Sequence, residues 1–120
     1  MSKQSNVLGK PLMSCSTDPM TGYVRDGYCS CVAGDRGQHT VCVVLTDDFL
    51  TYSRGQGNDL TTPRPEFGFP GLAAGDQWCL CVTRWVEAYQ AGHAPKVKLE
   101  ATHLSALEYI DLETLEECAV

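Results

Sequence analysis

Hydrophobic and polar positions follow several distinct rhythms along this chain, and each rhythm predicts an element. From His39 to Leu45 the residues are β-branched and nearly all apolar, the mark of a strand buried on both faces. Thr46 then offers an N-cap, with Asp47 and Asp48 in a first turn where the helix dipole favours negative charge. A short helix through Phe49, Leu50 and Tyr52 follows, ending near Gly55 or Gly57. Trp78 to Cys81 reads as a second buried strand. Val82, Trp85, Val86 and Tyr89 fall at i, i+3, i+4 and i+7, one stripe of a helix, while Thr83, Arg84, Glu87 and Gln90 take the opposite face. Gly92 stops that helix and Pro95 lies beyond. Val97, Leu99 and Ala101 alternate with Lys96, Lys98, Glu100 and Thr102, which predicts a half-exposed strand. Asp111 can cap a last short helix that turns Leu112, Leu115 and Cys118 inward.

Two stretches have no such rhythm. The first 38 residues are dense in turn formers, as in Thr17-Asp18-Pro19-Met20-Thr21-Gly22 and Arg25-Asp26-Gly27. Gly57 to Gln77 carries Pro63, Pro65 and Pro70 with Gly68, Gly71 and Gly75, which oppose regular structure. Phe67, Phe69 and Leu72 in that stretch argue for a packed loop that covers a surface or a cleft. The sum is an α+β fold: one small domain over residues 1–120, a short antiparallel sheet, two or three short helices and long ordered loops.

Composition narrows the function classes. The chain has 120 residues, 43% of them hydrophobic and 20% charged, as expected for a folded globular protein. No apolar run approaches the roughly 18 to 20 residues of a membrane span. Met1 to Asn6 lacks the basic and apolar regions of a secretory leader, so a cytoplasmic setting is expected. The formal charge is −6, and all of the excess lies after residue 65, much of it between Glu108 and Glu117. Nucleic-acid binding by a broad basic face is therefore not expected, because neutralising phosphates needs clustered Lys and Arg. A solvated acidic helix face accounts for the bias.

Seven cysteines is many for this length: Cys15, Cys29, Cys31, Cys42, Cys79, Cys81 and Cys118. An odd count without an export signal disfavours a complete disulfide framework, so reduced thiols are expected. They read as buried small hydrophobes, as metal ligands or as a reactive thiol.

From about Asn6 to Cys118 the chain resembles the bacterial family known as domain of unknown function 2237. The resemblance rests on Cys15-Ser16-Thr17-Asp18-Pro19-Met20-Thr21-Gly22, Arg25-Asp26-Gly27 and His39-Thr40-Val41-Cys42. It continues in Gly57-Asn58-Asp59-Leu60, Pro63, Pro65, Phe69-Pro70-Gly71-Leu72 and Gly75-Asp76-Gln77-Trp78-Cys79-Leu80-Cys81. Arg84-Trp85 and Ala101-Thr102-His103 complete it. The family has no assigned activity, so the resemblance implies no mechanism. In one departure, Tyr28-Cys29 and Cys31 stand where the family often carries paired cysteines after Asp-Gly.

Three constellations can carry chemistry. Cys29, Cys31, His39 and Cys42 offer four metal ligands within fourteen residues, a possible zinc set. Opposite parity of His39 and Cys42 on one strand works against it, and zinc is not the favoured reading. Cys79 and Cys81 would share one face of a strand, with the positive end of the following helix near Cys81. His103, expected to point inward, could join them as a base, with Asp59 or Asp76 as orienter. Two small hydrophobes and a hydrogen-bonded histidine are the plainer account of the same residues. Arg25, Asp26, Asn58, Asp59 and Arg64, with Arg84, could hold an anionic ligand. No phosphate-binding loop, dinucleotide fingerprint, zinc-protease helix or serine elbow is present.

The reading that follows is a small soluble binding or accessory module. It would use the 57–77 loop, with an unidentified small molecule or a protein as partner and neither nucleic acid nor membrane. The alternative is a thiol- or metal-dependent enzyme centred on Cys79, Cys81 and His103.

Overall fold

The structure is a computed structural model that describes residues 4–120. Met1 to Lys3, part of the opening segment read above for a leader, lie outside the described residues. Three strands form one antiparallel sheet: β1 (Val41–Val44), β2 (Gln77–Leu80) and β3 (Lys96–Val97), in the order β2-β1-β3. Among the described residues, three α-helices accompany them: α1 (Asp47–Gly55), α2 (Val82–Gln90) and α3 (Leu112–Glu117). The architecture is the expected α+β one. No helix among the described residues is long and apolar enough to cross a membrane.

The pleat gives the sheet two different faces. Val41 pairs with Leu80 and Val43 with Trp78 and Val97, so these side chains share one face. Phe49 and Leu50 of α1 and Val82, Trp85 and Ala88 of α2 close over it, with Leu115 of α3 in the same core. Trp85 is fully buried, and its indole N–H donates to the Pro95 carbonyl at 3.2 Å, which satisfies the one polar atom it takes inside. Thr46 caps α1 as expected: its hydroxyl accepts from the Phe49 amide at 3.0 Å. The opposite face presents Cys42 and Cys79, which sit directly across from each other.

That second face is covered by the aperiodic first third of the chain. Two disulfides fasten it there, Cys15–Cys42 and Cys29–Cys79. The expectation of reduced thiols throughout is therefore corrected, and only Cys31, Cys81 and Cys118 are free. Cysteine parity counting along the chain could not see this, because the partners come from a segment without strands. Asn6 ties the same segment down at a second point. Its amide donates to the carbonyls of Pro11 and Glu100, and its oxygen accepts from the Leu8 and Lys10 amides.

Two expected strands are shorter than predicted. His39 and Thr40 lie ahead of β1, and the strand expected through Ala101 ends at Val97. The Lys98 amide bonds the Cys42 carbonyl and the His103 amide bonds the Thr40 carbonyl, both on the β3 side of β1. Between them Leu99–Ala101 winds into a 3-10 turn. The chain thus leaves and rejoins the edge of β1, and the turn destroys the alternation on which an inward His103 was expected. The 57–77 loop is ordered: Leu72 is buried, its amide bonds the Leu60 carbonyl, and Arg64 and Phe69 pair around a tight turn at Pro65–Phe67. Gly71 has φ 80°, and a Cβ there would lie 2.5 Å from the Thr61 carbonyl oxygen, so this crossing requires glycine.

Candidate functional site

A cleft opens where the start of the long loop meets the first third of the chain and the β2–α2 junction. Its two adjoining pockets have volumes of about 210 and 320 Å³. His39, Leu60 and Trp78 line both; Asn58, Leu80, Cys81 and Arg84 complete one, and Gly22, Tyr23, Arg25 and Cys79 the other.

Each wall has a local cause. Asp35 and His39 are one helical turn apart in spacing but sit in a turn, and the Asp35 carboxylate gathers that turn around itself. It accepts from the Gln38 amide at 3.1 Å, the His39 amide at 2.9 Å and His39 Nδ1 at 2.8 Å. A carboxylate can only accept, so it is Nδ1 that donates to Asp35 and Nε2 that faces away from it. The Asp35 side chain is 2% exposed and the imidazole 39% exposed, which makes a buried orienter and an accessible ring. Gly37 leaves the space beside that ring open, since a Cβ there would touch both His39 Cε1, at 3.0 Å, and Cys81 Sγ, at 3.5 Å.

Cys81 is not on β2. It is the N-cap residue of α2, its thiol 3.1 Å from the Thr83 hydroxyl. The step from strand to helix turns it away from Cys79: Cys79 is bridged to Cys29 under the sheet, and Cys81 is free in the cleft. The predicted shared face of the two thiols is corrected accordingly. Cys79 cannot act as a free nucleophile while it is bridged.

Arg25 stands on the opposite side with its guanidinium 5.1 Å from the centre of the Trp78 ring, a cation–π contact. Its backbone has φ 57°, unusual for a residue with a side chain. One of its N–H groups donates to the Gly22 carbonyl at 2.9 Å, and among the described residues it has no carboxylate within ion-pair distance. Arg84 reaches the Gln56 carbonyl at 3.3 Å and Glu87 at 3.4 Å.

The other sequence candidates lie elsewhere or serve turns. The Asp26 carboxylate accepts from the Tyr28 amide. Asp59 accepts from the Thr61 amide and from the hydroxyls of Thr61 and Thr62, and these bonds, the Thr62 hydroxyl above all, hold its carboxyl well below the usual carboxylate range. Arg64 is exposed beside Phe69, outside the cleft lining. Asp76 accepts from the Ala73 amide in a loop turn. His103 is the N-cap of the 104–108 turn; its Nδ1 accepts from the Ser105 amide at 2.9 Å, and burial holds its pKa below the ordinary value. Neither Cys79 nor Cys81 contacts it by a hydrogen bond among the described residues. The metal set separates: Cys29 and Cys42 are in different disulfides, His39 is in the cleft and Cys31 is exposed.

Sequence reading missed Asp35, Tyr23 and Leu60, and placed Trp78 only at the start of a buried strand. The Asp35-to-His39 spacing was the available signal for the first. The others needed the loop's path, which no periodicity carries.

Over residues 5–119 the chain matches the family domain of unknown function 2237, described as an uncharacterised protein conserved in bacteria. No curated protein matches it.

Proposed function

Because the chain belongs to this uncharacterised bacterial family, function has to be argued from the cleft, and we propose that it is a binding module for a small organic anion. Arg25 carries the reading. Among the described residues it is a guanidinium without a carboxylate partner, in a chain of net charge −6, and it lies over Trp78 with an unusual backbone conformation. An arginine in that position can supply two parallel donors for a carboxylate or phosphate, and the ring beside it helps hold the cation in the cleft. Arg84 and Asn58 add polar groups on the far wall, and Leu60 and Leu80 receive an apolar body. The site uses the beginning of the 57–77 loop as a wall and leaves Arg64 and Asp59 out of contact with ligand.

A thiol activity is the second reading, favoured by Cys81 and the Asp35-held His39 sharing this cleft. Free Cys81 replaces bridged Cys79, and His39 replaces His103. For the compartment, three free thiols support a cytoplasmic reading and two disulfides pull against it.

One titration tests both readings. Phenyl phosphate and benzoate are added to the protein while backbone amide resonances are followed, with phenol as the uncharged control. Saturable shifts are expected at residues 22–25, 39, 58–60 and 81–84 with the two anions, and about tenfold weaker binding in Arg25→Gln. Shifts absent at millimolar anion, or equal with phenol, would sink the anion reading. Iodoacetamide added in the same series alkylates sulfur with loss of iodide. Cys81 reacting well ahead of exposed Cys31 would move the thiol reading to first place.

A further inference from the structure

We propose that Cys15, Cys29, Cys42 and Cys79 form a redox-gated site for one zinc ion, closed as two disulfides when oxidised and metal-binding when reduced. All four side chains belong to residues no more than 3% exposed, and with Ala101 they make up a core of their own under the sheet. The sulfurs of Cys15, Cys29 and Cys79 lie within 4.8 Å of one another, and the fourth, on Cys42, is bonded to Cys15. The two bridges therefore stand side by side.

The sheet itself produces this adjacency. The Cys42 amide bonds the Thr102 hydroxyl and its carbonyl accepts from Lys98, while the Cys79 amide bonds the Thr21 hydroxyl. Both residues turn their main-chain groups away from each other, so they form the closer, non-hydrogen-bonded kind of cross-strand pair. Two thiols are thus fixed on paired strands. Cys15 and Cys29 are delivered by turns with their own bonds, among them Cys15 amide to Gly27 carbonyl at 2.7 Å and Gly27 amide to Thr21 carbonyl at 2.9 Å. Neither bond involves a sulfur, so a zinc-bound chain with open bridges can keep both.

Zinc sits about 2.3 Å from each sulfur of a tetrahedral four-thiolate site, which spaces the sulfurs by roughly 3.8 Å. Bonded sulfurs must move apart and the others draw slightly together, displacements within reach of side-chain rotation. Four soft thiolates and no oxygen ligand select zinc over magnesium or calcium. Two of these ligands, Cys29 and Cys42, belong to the set expected from sequence; Cys15 and Cys79 take the places of Cys31 and His39.

The chemistry balances. Each disulfide takes two electrons and two protons, supplied by a dithiol that leaves as its own disulfide. Zinc then displaces four thiol protons and leaves a complex of charge −2. Cys79 also forms part of the wall of the pocket that holds Arg25, which sets a positive charge near the cluster.

The test uses the full chain carrying Cys31→Ser, Cys81→Ser and Cys118→Ser, so that only the four core cysteines remain. It is reduced without oxygen by a phosphine, which leaves as its oxide, and titrated with cobalt and then zinc. One equivalent of cobalt is expected to give the intense visible bands of tetrahedral sulfur coordination. Zinc should bleach them, and native mass should rise by one zinc ion less two protons, as charge balance in the measured ion requires. All four thiols should resist a thiol reagent until a chelator is added. Adding Cys42→Ser should remove the four-sulfur spectrum and weaken binding at least 100-fold. A reduced, folded chain whose four thiols react freely in equimolar zinc overturns the proposal. So does an octahedral cobalt spectrum, or a reduced chain that stays unfolded with and without zinc.

Discussion

The two faces of this sheet bury neighbouring residues of the same strands by different means. On the helix side, Val41, Val43, Trp78, Leu80 and Val97 meet Phe49, Leu50, Val82 and Trp85, and closure comes from apolar area removed from water. On the loop side the covering segment has almost no regular structure of its own, and closure comes from two crosslinks and a few buried polar groups. The first kind of face is written in local periodicity and tolerates a change of redox state. The second depends on pairings across 27 and 50 residues of chain and responds to redox state directly.

The sharpest way to break this contrast is to damage one face and watch the other. Trp85→Ala empties a fully buried ring site and leaves the Pro95 carbonyl without its donor, at a cost of about 3–5 kcal/mol. That is a large part of the stability of a domain this size. The loss should be global: hydrogen exchange in β1, β2 and α2 should accelerate together. Opening both bridges in metal-free solution should instead release amides of the first third of the chain, such as Cys15 and Gly27, while Trp85 stays protected. Equal release on both faces would show that the two cores are one cooperative unit.

The same asymmetry explains how much could be read from residues alone. The α1 cap at Thr46, the α2 stripe through Val82 and Trp85, and the α+β class are local consequences of spacing, and the structure contains all of them. The disulfides were not legible, because Cys15 and Cys29 sit in turns with no parity to count. Cys81 was misplaced by a single residue: extending β2 by one position put it on the face of Cys79 instead of at the head of α2. The third strand stopped early because two bonds to β1 flank a wound turn, which an alternating sequence does not announce. Arg25, Asn58 and Arg84 were singled out as polar residues, and the structure places them around one cleft; Asp59 and Arg64 it places outside.

A smaller perturbation separates crosslinks from the polar groups that accompany them. Thr21 is fully buried, and its hydroxyl is the acceptor for the Cys79 amide at 2.8 Å. Thr21→Val keeps the shape and removes the acceptor, leaving a buried N–H unpaired at a cost of about 1–3 kcal/mol. Denaturant unfolding of the oxidised protein should show the loss with both bridges intact by mass. A change below a few tenths would mean that the loop side is held by its crosslinks alone.

The smallest effect expected is in pH dependence, and it probes the place where the chain rejoins β1. Burial of His103 disfavours its charged form, so the folded chain holds that proton less tightly than the unfolded chain, whose pKa is near 6.5. The stability it contributes is complete above that value and is lost as pH falls toward the depressed folded pKa, since the unfolded state then binds more protons. His103→Asn preserves an acceptor for the Ser105 amide, because asparagine is among the best capping residues, but it cannot titrate. The variant should match the parent at pH 8 and lose less stability between pH 6.5 and the carboxylate range. If His103 were instead a base on the functional surface, pH 8 is where anion binding or Cys81 alkylation would fall in the variant. Unchanged binding and alkylation there, with a flatter stability profile, assign it a structural role where the chain rejoins β1.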